Sequence, residues 1–283
     1  MHREKAFTLI ELLVVVASIA LLMAILLPAV QRAERQAQVI VCQSNLNQWG
    51  KVLNMYTEDS QGCLPPRETG AIWLLRGSAP SEDAPLKPDL YNNVRTDGIA
   101  CCPVAVKPLD DKDGGSITES SPFAPPWRVR TRWGSTLRAW RIIEPGPPFL
   151  CSYGFNGYLI DRPFFPIRQV RRNQRGLDVL SLGQRGSIPA LLDSALPVAC
   201  PGSNDEPPQT QMAGGNDIKS FCINRHDGNV NGLFLDWSVR KIGLKELWTL
   251  KWHSQTDTAG PWTRAGGMQP EDWPEWMKNF RDY

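Results

Sequence analysis

Lys5-Ala6-Phe7-Thr8-Leu9-Ile10-Glu11 runs directly into an apolar stretch that continues to Val30 and decides the fold of this chain. From Phe7 to Val30 the one ionisable side chain is Glu11. A helix of these residues, at ~1.5 Å per residue, is about 36 Å long, which is enough to cross a hydrocarbon core of ~30 Å with some tilt. The stretch therefore predicts an N-terminal helix that spans a membrane.

A secretory signal peptide has a similar outline, because it also places a short basic start before an apolar run. Its apolar region is typically ~7 to 15 residues long and ends at a small-x-small cleavage site. Here the run is longer, and residues 26–32 contain no such site. We therefore expect the segment to be retained.

Glu11 is a carboxylate in an apolar helix, which costs on the order of 2.5 to 3.5 kcal/mol at the bilayer centre and less near the interface. One interpretation places it at headgroup depth, where it ends the span. A second comes from its neighbours, because the string from Lys5 to Glu11 resembles the processing site of type IV prepilins and type II secretion pseudopilins. That site is a basic residue, Gly and Phe followed by Thr-Leu-Ile-Glu, and Ala6 stands where Gly is usual.

The resemblance implies processing and assembly. In that family a prepilin peptidase cuts before the Phe and methylates the new amino terminus, so the cut would fall between Ala6 and Phe7. Glu11 would then pair with the amino terminus of a neighbouring subunit, since an unpaired charge is costly at low dielectric. The implied function is a structural subunit of a type IV pilus or type II secretion-like filament in the bacterial inner membrane, with an extracytoplasmic head. Its partners would be the peptidase, the membrane, and copies of itself or other pseudopilins.

Helical spacing continues after Val30. Apolar residues recur three or four positions apart among polar ones, at Ala33, Ala37, Ile40, Val41, Leu46, Trp49, Leu53 and Tyr56. This stripe predicts an amphipathic helix that packs on the domain after it, with Gly62 as the stop. The predicted organisation is a leader at residues 1–6, a membrane helix at 7–30, an amphipathic helix at 31–60 and a head at 61–283.

The head reads as short strands and loops. Strand candidates lie at residues 150–160, 188–192, 219–224, 232–235 and 239–242, and Gly154 in the first of them indicates a close approach. The tail from Gly243 carries five of the eleven tryptophans. At that density they predict core, with an exposed partner surface as the alternative. We expect an α+β fold in which a long helix packs on an antiparallel sheet, the lollipop shape of pilins.

His226, nine residues and then Asp236 form a second motif. It resembles the prepilin-processing-associated domain, which is defined by His, nine residues and Asp-Gly. The segments around Cys42, Cys102 and Ser152 also resemble this group. Trp237 stands where the motif has Gly, and a positive φ there would be costly for Trp.

The residues between His226 and Asp236 allow two interpretations. Oxygen side chains at alternate positions match the first half of a calcium loop, and the weak candidates are Asp227, Asn229, Asn231 and Asp236. The twelfth position of such a loop is Ser238, where a bidentate Glu is needed. A plain hairpin explains the same residues. In that case His226 and Asp236 mainly fix the hairpin, with His226 bonded to backbone carbonyls across the turn.

Seven cysteines indicate an oxidising compartment and predict disulfides, with at least one thiol left over and buried free thiols as the alternative. Cys101 and Cys102 are too close in sequence for a zinc ribbon, and no second pair at two-to-four-residue spacing exists. The net charge is +2 without a dense basic stripe, so we expect no nucleic-acid partner.

An enzyme would recruit His226 and Asp236 as base and orienter, with Ser238 or Cys222 as nucleophile. No established catalytic motif accompanies them, so we expect no catalysis and no cofactor other than the calcium considered above. The alternative to a filament subunit is a membrane-anchored extracytoplasmic binding protein that does not polymerise and uses its aromatic tail.

Overall fold

The computed structural model describes residues 9–64, 98–105, 117–118, 130–144, 149–159, 183–211, 217–253 and 255–282. The chain divides into two compact units, Met1–Ile40 and Val41–Tyr283. The predicted leader, which ends at Ala6, and the following Phe7 lie outside the described residues.

Helix α1 spans Leu9–Asp59 and contains Pro28 in its interior. An 18-residue stretch of this helix has a mean hydropathy of 2.9, and none of that stretch is buried in the structure. The exposed fraction of its large apolar side chains runs from 81% at Leu9 to 44% at Ile19. By length and composition this helix can cross a membrane, and it is the one such helix among the described residues.

In the second unit the predicted stripe of α1 is buried from Leu46 to Tyr56, whereas Val41 at its start is 48% exposed. Leu46, Trp49 and Leu53 have no exposed surface, because spacings of three and four residues put them on one face of the helix. The helix ends at Asp59, and the chain then takes up positive φ values, 83° at Gly62 among them. The helix therefore stops just before the predicted glycine.

The described strands form two mostly antiparallel sheets, so the fold is α+β. The first contains β1 (Ile117–Thr118), β2 (Arg130–Arg132), β3 (Trp140–Glu144) and β4 (Phe149–Cys151), in that order. The second is built from β5 (Tyr153–Asn156), β6 (Pro189–Asp193), β7 (Val198–Ala199), β8 (Asn229–Phe234) and β9 (Val239–Gly243). Its order is β7-β5-β6-β8-β9, and the β5–β7 pair alone is parallel.

Short helical turns complete the described part of the second unit. They are 3-10 turns at Gly157–Leu159, Arg185–Ser187, Ile218–Ser220, Lys245–Thr249 and Pro270–Asp272, and one α-helical turn, α2, at Glu275–Lys278.

The five-stranded sheet is covered on both faces. On one face, Leu191 and Leu233 share a core with α1 residues such as Trp49. On the other, Leu192 and Phe234 pack with the tail, including the buried tryptophans Trp248, Trp252 and Trp273. The prediction that the aromatic tail belongs to the core is confirmed for these three residues.

The strand predicted at residues 219–224 is wrong. The chain forms a 3-10 turn there, started by Asp217, whose carboxylate accepts a hydrogen bond from the backbone N–H of Lys219 at 2.8 Å. Phe221 and Ile223 are fully buried, so the run carries no periodicity that separates a strand from a turn.

The predicted disulfides are also absent, because all seven cysteines lie among the described residues and none forms a disulfide there. The adjacent Cys101 and Cys102 show how the sulfurs are separated. The Cys101 thiol donates to the Leu150 carbonyl, whereas the Cys102 sulfur lies 3.3 Å from His226.

Candidate functional site

A cluster of four buried polar side chains lies in the core between α1 and the five-stranded sheet. Its members are Cys42, Cys102, Asp193 and His226, and one potential ligand atom from each lies within 4.8 Å of the others. Each side chain comes from a different segment of the second unit, and Cys42 and Asp193 are 151 residues apart in sequence.

Local packing explains why these segments meet. Cys42 lies on the buried face of α1, one turn before Leu46. The loop that carries Cys102 is tied to the same helix by two hydrogen bonds, from Asn45 to the Cys101 carbonyl and from Trp49 to the Ile99 carbonyl, both at 3.0 Å. The loop is thus fixed against the helix from which Cys42 projects.

Asp193 and His226 come from the sheet side. Asp193 is the last residue of β6, and its carboxylate accepts the backbone N–H of Asn231 in the neighbouring β8 at 2.9 Å. His226 precedes β8 in a tight turn, in which its N–H donates to the Asn229 carbonyl at 3.1 Å. Asp227 and Gly228 take φ values of 54° and 77° in this turn, a conformation that suits Gly and is tolerated by Asp.

Arg225 supplies a fully buried positive charge next to the cluster. Its Nη1 lies 3.1 Å from Asp193 Oδ1, and neither side chain has exposed surface. The remaining guanidinium hydrogens go to backbone carbonyls, those of Ser135, Thr136, Arg138, Ser152 and Ser194. The pair is therefore held by a complete set of hydrogen bonds, which a buried guanidinium requires.

His226 uses one ring nitrogen for two partners. Its Nε2 lies 3.2 Å from Asp193 Oδ2 and 3.3 Å from Cys102 Sγ. The expectation that this ring bonds to backbone carbonyls across the hairpin turn is wrong. The ring points into the core, where its Nε2 can form a charge-assisted hydrogen bond with a carboxylate, which is stronger than a bond to a neutral backbone carbonyl.

The same geometry argues against catalysis by a Cys-His-Asp triad. A triad places the nucleophile on one imidazole nitrogen and the carboxylate on the other, whereas here both partners meet Nε2. Cys102 is also fully buried, so a substrate has no access to its sulfur. The alternative nucleophile Cys222 is buried beside Met277, and burial raises the pKa of its thiol.

Asp236 lies at the other end of β8 from His226, in the turn to β9. Its Oδ1 accepts hydrogen bonds from the backbone N–H of Ser238 at 3.0 Å and from the Ser238 hydroxyl at 2.6 Å. Trp237, where the motif has Gly, takes a φ of 66°. Trp237 N–H bonds to the Phe234 carbonyl and Phe234 N–H to the Ser238 carbonyl, both at 2.9 Å. This is the pattern of a type I turn closed by a residue in the left-handed region.

The structure does not assemble the predicted calcium ligands. Asp227 precedes β8 and Asp236 follows it, so the strand separates them. Asn229 donates its side-chain amide to the carbonyls of His226 and Asp227. Asn231 is buried, and its oxygen accepts from Gln43 on α1 at 3.1 Å.

Electrostatics set the protonation of the cluster. Burial alone would raise the pKa of Asp193. The hydrogen bond from His226 and the charges of His226 and Arg225 outweigh that effect and lower the pKa to about 2. Burial lowers the pKa of His226, but its hydrogen bonds with Asp193 and Cys102 raise it to about 9. Burial raises the pKa of Cys102, but hydrogen bonds with Cys42 and His226 lower it to about 7. Burial raises the pKa of Cys42 well above its ordinary value. The interior therefore stabilises anions at Asp193 and Cys102.

The sequence did not predict a site role for Cys42, Cys102, Asp193 or Arg225. Asp193 follows the predicted strand 188–192 directly, and a carboxylate at the end of an apolar strand is a usable signal. Arg225 adjoins His226, so the two cations enter the core together. Among the predicted residues, Glu11 lies in the first turn of α1 and in the other compact unit.

No protein-family model, curated protein or solved structure matches this chain.

Proposed function

We propose that the chain is a subunit of a type IV pilus or type II secretion-like filament. It is processed between Ala6 and Phe7 by a prepilin peptidase and assembles through its N-terminal helix. The observation that carries the proposal is the combination of an exposed apolar helical segment containing Glu11 with a second compact unit at Val41–Tyr283.

The apolar surface of α1 needs a partner. The large apolar side chains from Leu9 to Val30 are between 44% and 81% exposed. They form a contiguous hydrophobic surface, which water-soluble monomers rarely show. A bilayer would cover that surface before assembly, and the corresponding helices of neighbouring subunits would cover it in the filament. A pilin occupies both environments in turn.

Glu11 separates this proposal from a simple membrane anchor. A carboxylate in a span costs on the order of 2.5 to 3.5 kcal/mol at the bilayer centre, and an anchor has no use for it. In a filament it pairs with the methylated amino terminus of Phe7 in a neighbouring copy. The resemblance of residues 5–11 to the prepilin site supports this role, as does the His226 to Asp236 motif.

The proposed location is the bacterial inner membrane, with a single pass and an extracytoplasmic head that enters a periplasmic or surface filament. The partners are the peptidase and copies of this chain or other pseudopilins. The alternative is a membrane-anchored binding protein that does not polymerise. Such a protein would bind its partner through the aromatic tail. Three of the five tail tryptophans are buried and are not available to a partner.

Processing is tested by mass spectrometry of the protein purified from its native membrane. We expect a mature chain that begins at N-methyl-Phe7. An intact Met1, or a terminus beyond Val30, would contradict the proposal.

Assembly is tested by comparing two substitutions in the exposed part of α1. Glu11→Val removes the carboxylate, and Ser18→Val makes a matched polar-to-apolar change at a residue whose hydroxyl bonds only within the helix, to the Val15 carbonyl. We expect Glu11→Val to insert in the membrane with an intact head but to be missing from sheared filaments, whereas Ser18→Val assembles normally. Equal recovery of both variants in filaments would show that Glu11 has no role in assembly.

A further inference from the structure

The cluster of Cys42, Cys102, Asp193 and His226 brings two thiols, a carboxylate and an imidazole together in the apolar interior. Buried polar groups of this kind are costly unless they are satisfied. The four exposed fractions lie between 0% and 3%. The combination is also a recognised donor set, since thiolate, imidazole and carboxylate are the groups that bind zinc in proteins.

We propose that these four side chains form a tetrahedral zinc site that holds α1 against the five-stranded sheet. The proposal concerns the head and is independent of filament assembly.

The spacing of the donor atoms fits such an ion. In a tetrahedron with Zn–S ~2.3 Å and Zn–N or Zn–O ~2.0 to 2.2 Å, neighbouring ligand atoms lie about 3.3 to 3.8 Å apart. The observed separations are 3.2 Å from His226 Nε2 to Asp193 Oδ2, 3.3 Å from Nε2 to Cys102 Sγ, and 3.6 Å from Cys42 Sγ to Asp193 Oδ2. These three separations already lie close to the tetrahedral range, and the other pairs of donor atoms, all within 4.8 Å, would contract onto a central ion.

The charges around the site also fit. Two thiolates and the Asp193 carboxylate carry three negative charges, which balance the two charges of zinc and the one of Arg225, with His226 neutral as a ligand must be. Without Arg225 the occupied site would carry one net negative charge in the core. The salt bridge of 3.1 Å between Arg225 and Asp193 therefore belongs to the design of the site.

Surrounding groups already orient the donors. The Asn231 N–H donates to Asp193 Oδ2 at 2.9 Å, and the Tyr153 hydroxyl donates to Cys42 Sγ at 3.3 Å. Hydrogen bonds of this kind fix the ligands of metal centres and raise their affinity. All four positions come from the protein and none faces solvent, so the site has the closed form of a structural zinc and leaves no position for a substrate.

The wild-type full-length chain, purified in detergent, gives the first test. We expect one zinc per chain by elemental analysis, and zinc X-ray absorption that shows two sulfurs at ~2.3 Å and two nitrogen or oxygen atoms at ~2.0 to 2.1 Å. Cobalt in place of zinc should give the intense visible absorption of a tetrahedral site with thiolate ligands. Metal-free wild-type protein that takes up neither ion overturns the proposal. So does a Cys42–Cys102 disulfide in the protein from its native membrane.

The second test uses Cys102→Ser, with Cys151→Ser as the matched control. Cys151 is also fully buried, but its sulfur interacts with the backbone of Tyr153 and lies outside the cluster. We expect Cys102→Ser to bind cobalt more than ~100-fold more weakly than wild type, a larger loss than removal of a surrounding hydrogen bond produces. We expect Cys151→Ser to keep the cobalt spectrum. A spectrum that survives Cys102→Ser assigns the metal to other residues. If Cys102→Ser does not fold, the absorption measurement on wild-type protein decides alone.

Discussion

Replacement of Arg225 by Met tests whether the buried ion pair organises the head. Methionine keeps an apolar stem of similar length but removes the guanidinium. The change leaves the Asp193 carboxylate without its closest arginine partner, and five backbone carbonyls lose a donor. The carbonyls of Ser135, Arg138 and Ser152 keep a backbone N–H donor. A carbonyl left buried without any donor costs about 1 to 3 kcal/mol, and such costs do not add fully because the segments relax.

The expected loss follows from burial more than from bond length. Breaking a fully buried ion pair by removing one partner costs about 3 to 5 kcal/mol, and we expect Arg225→Met to fall in that range. The matched control is Arg240→Met, which breaks a shorter contact of 2.6 Å to Glu246 Oε1. There the side chains are 42% and 25% exposed, so water replaces the lost partner and the expected cost is about 0 to 1 kcal/mol.

Arg225→Lys should lie between wild type and Met, because an ammonium retains the charge but cannot reach the same set of acceptors as a planar guanidinium. The assay is chemical denaturation of the detergent-solubilised full chain, followed by tryptophan fluorescence with chelator present throughout. All eleven tryptophans lie in the second unit, so the signal reports that unit alone. If Arg225→Met is no more destabilising than Arg240→Met, the argument from burial is refuted.

Three further predictions use single positions in the head. Trp237→Gly should be more stable than Trp237→Ala by about 1 kcal/mol in the same assay, because the φ of 66° is strained for Ala and free for Gly; the reverse order would exclude strain in this turn. Gly154→Ala should cost at least ~1 to 3 kcal/mol, because its new methyl group would lie 2.7 Å from the Ser194 side chain. Gly183→Ala, which has open space, should change stability by less than ~0.5 kcal/mol. The hydrogen bond from Lys245 lowers the pKa of Asp282, so its stabilising effect is complete above the ordinary pKa of ~3.9 and is lost as the pH falls through the lower folded value. Hydrogen exchange of the tail should speed up over that acid range in wild type, and Asp282→Asn should not show this added dependence.

The sequence predicted the long helix from two signals, the continuous apolar run up to Val30 and the helical spacing of the stripe after it. The observed end at Asp59 lies one residue from the predicted limit. Several strands were also predicted, with β6, β8 and β9 within a few residues of their observed bounds. Strand β6 is buried along its whole length. The apolar run therefore predicts the position of the strand but not which residues lie on each of its two faces.

The candidate site was not predictable from spacing. Local cysteine rules exclude a zinc ribbon, but they do not apply to donors such as Cys102 and His226, which lie 124 residues apart. His226 was identified through its motif and then assigned to the hairpin, because the sequence does not show which way a side chain points when it precedes a strand. Only the pairing of β6 with β8 brings Asp193 to this histidine.

The structure explains the different roles of His226 and Asp236, the two residues that define the motif. Asp236 is exposed and serves the turn at one end of β8, whereas His226 enters the core at the other end, so the nine residues between them measure the strand together with its flanking turns. Cys42 and Gln43 meet the same strand from α1, through Asp193 and directly through Asn231. Cys42 is the second residue of the compact unit that starts at Val41. A bond network at this point therefore fixes the rotation of the part of α1 within the second unit, because a turn of that part about its axis would withdraw Cys42 from the cluster. The motif histidine thus contributes to holding the part of α1 that begins at Val41 against the five-stranded sheet.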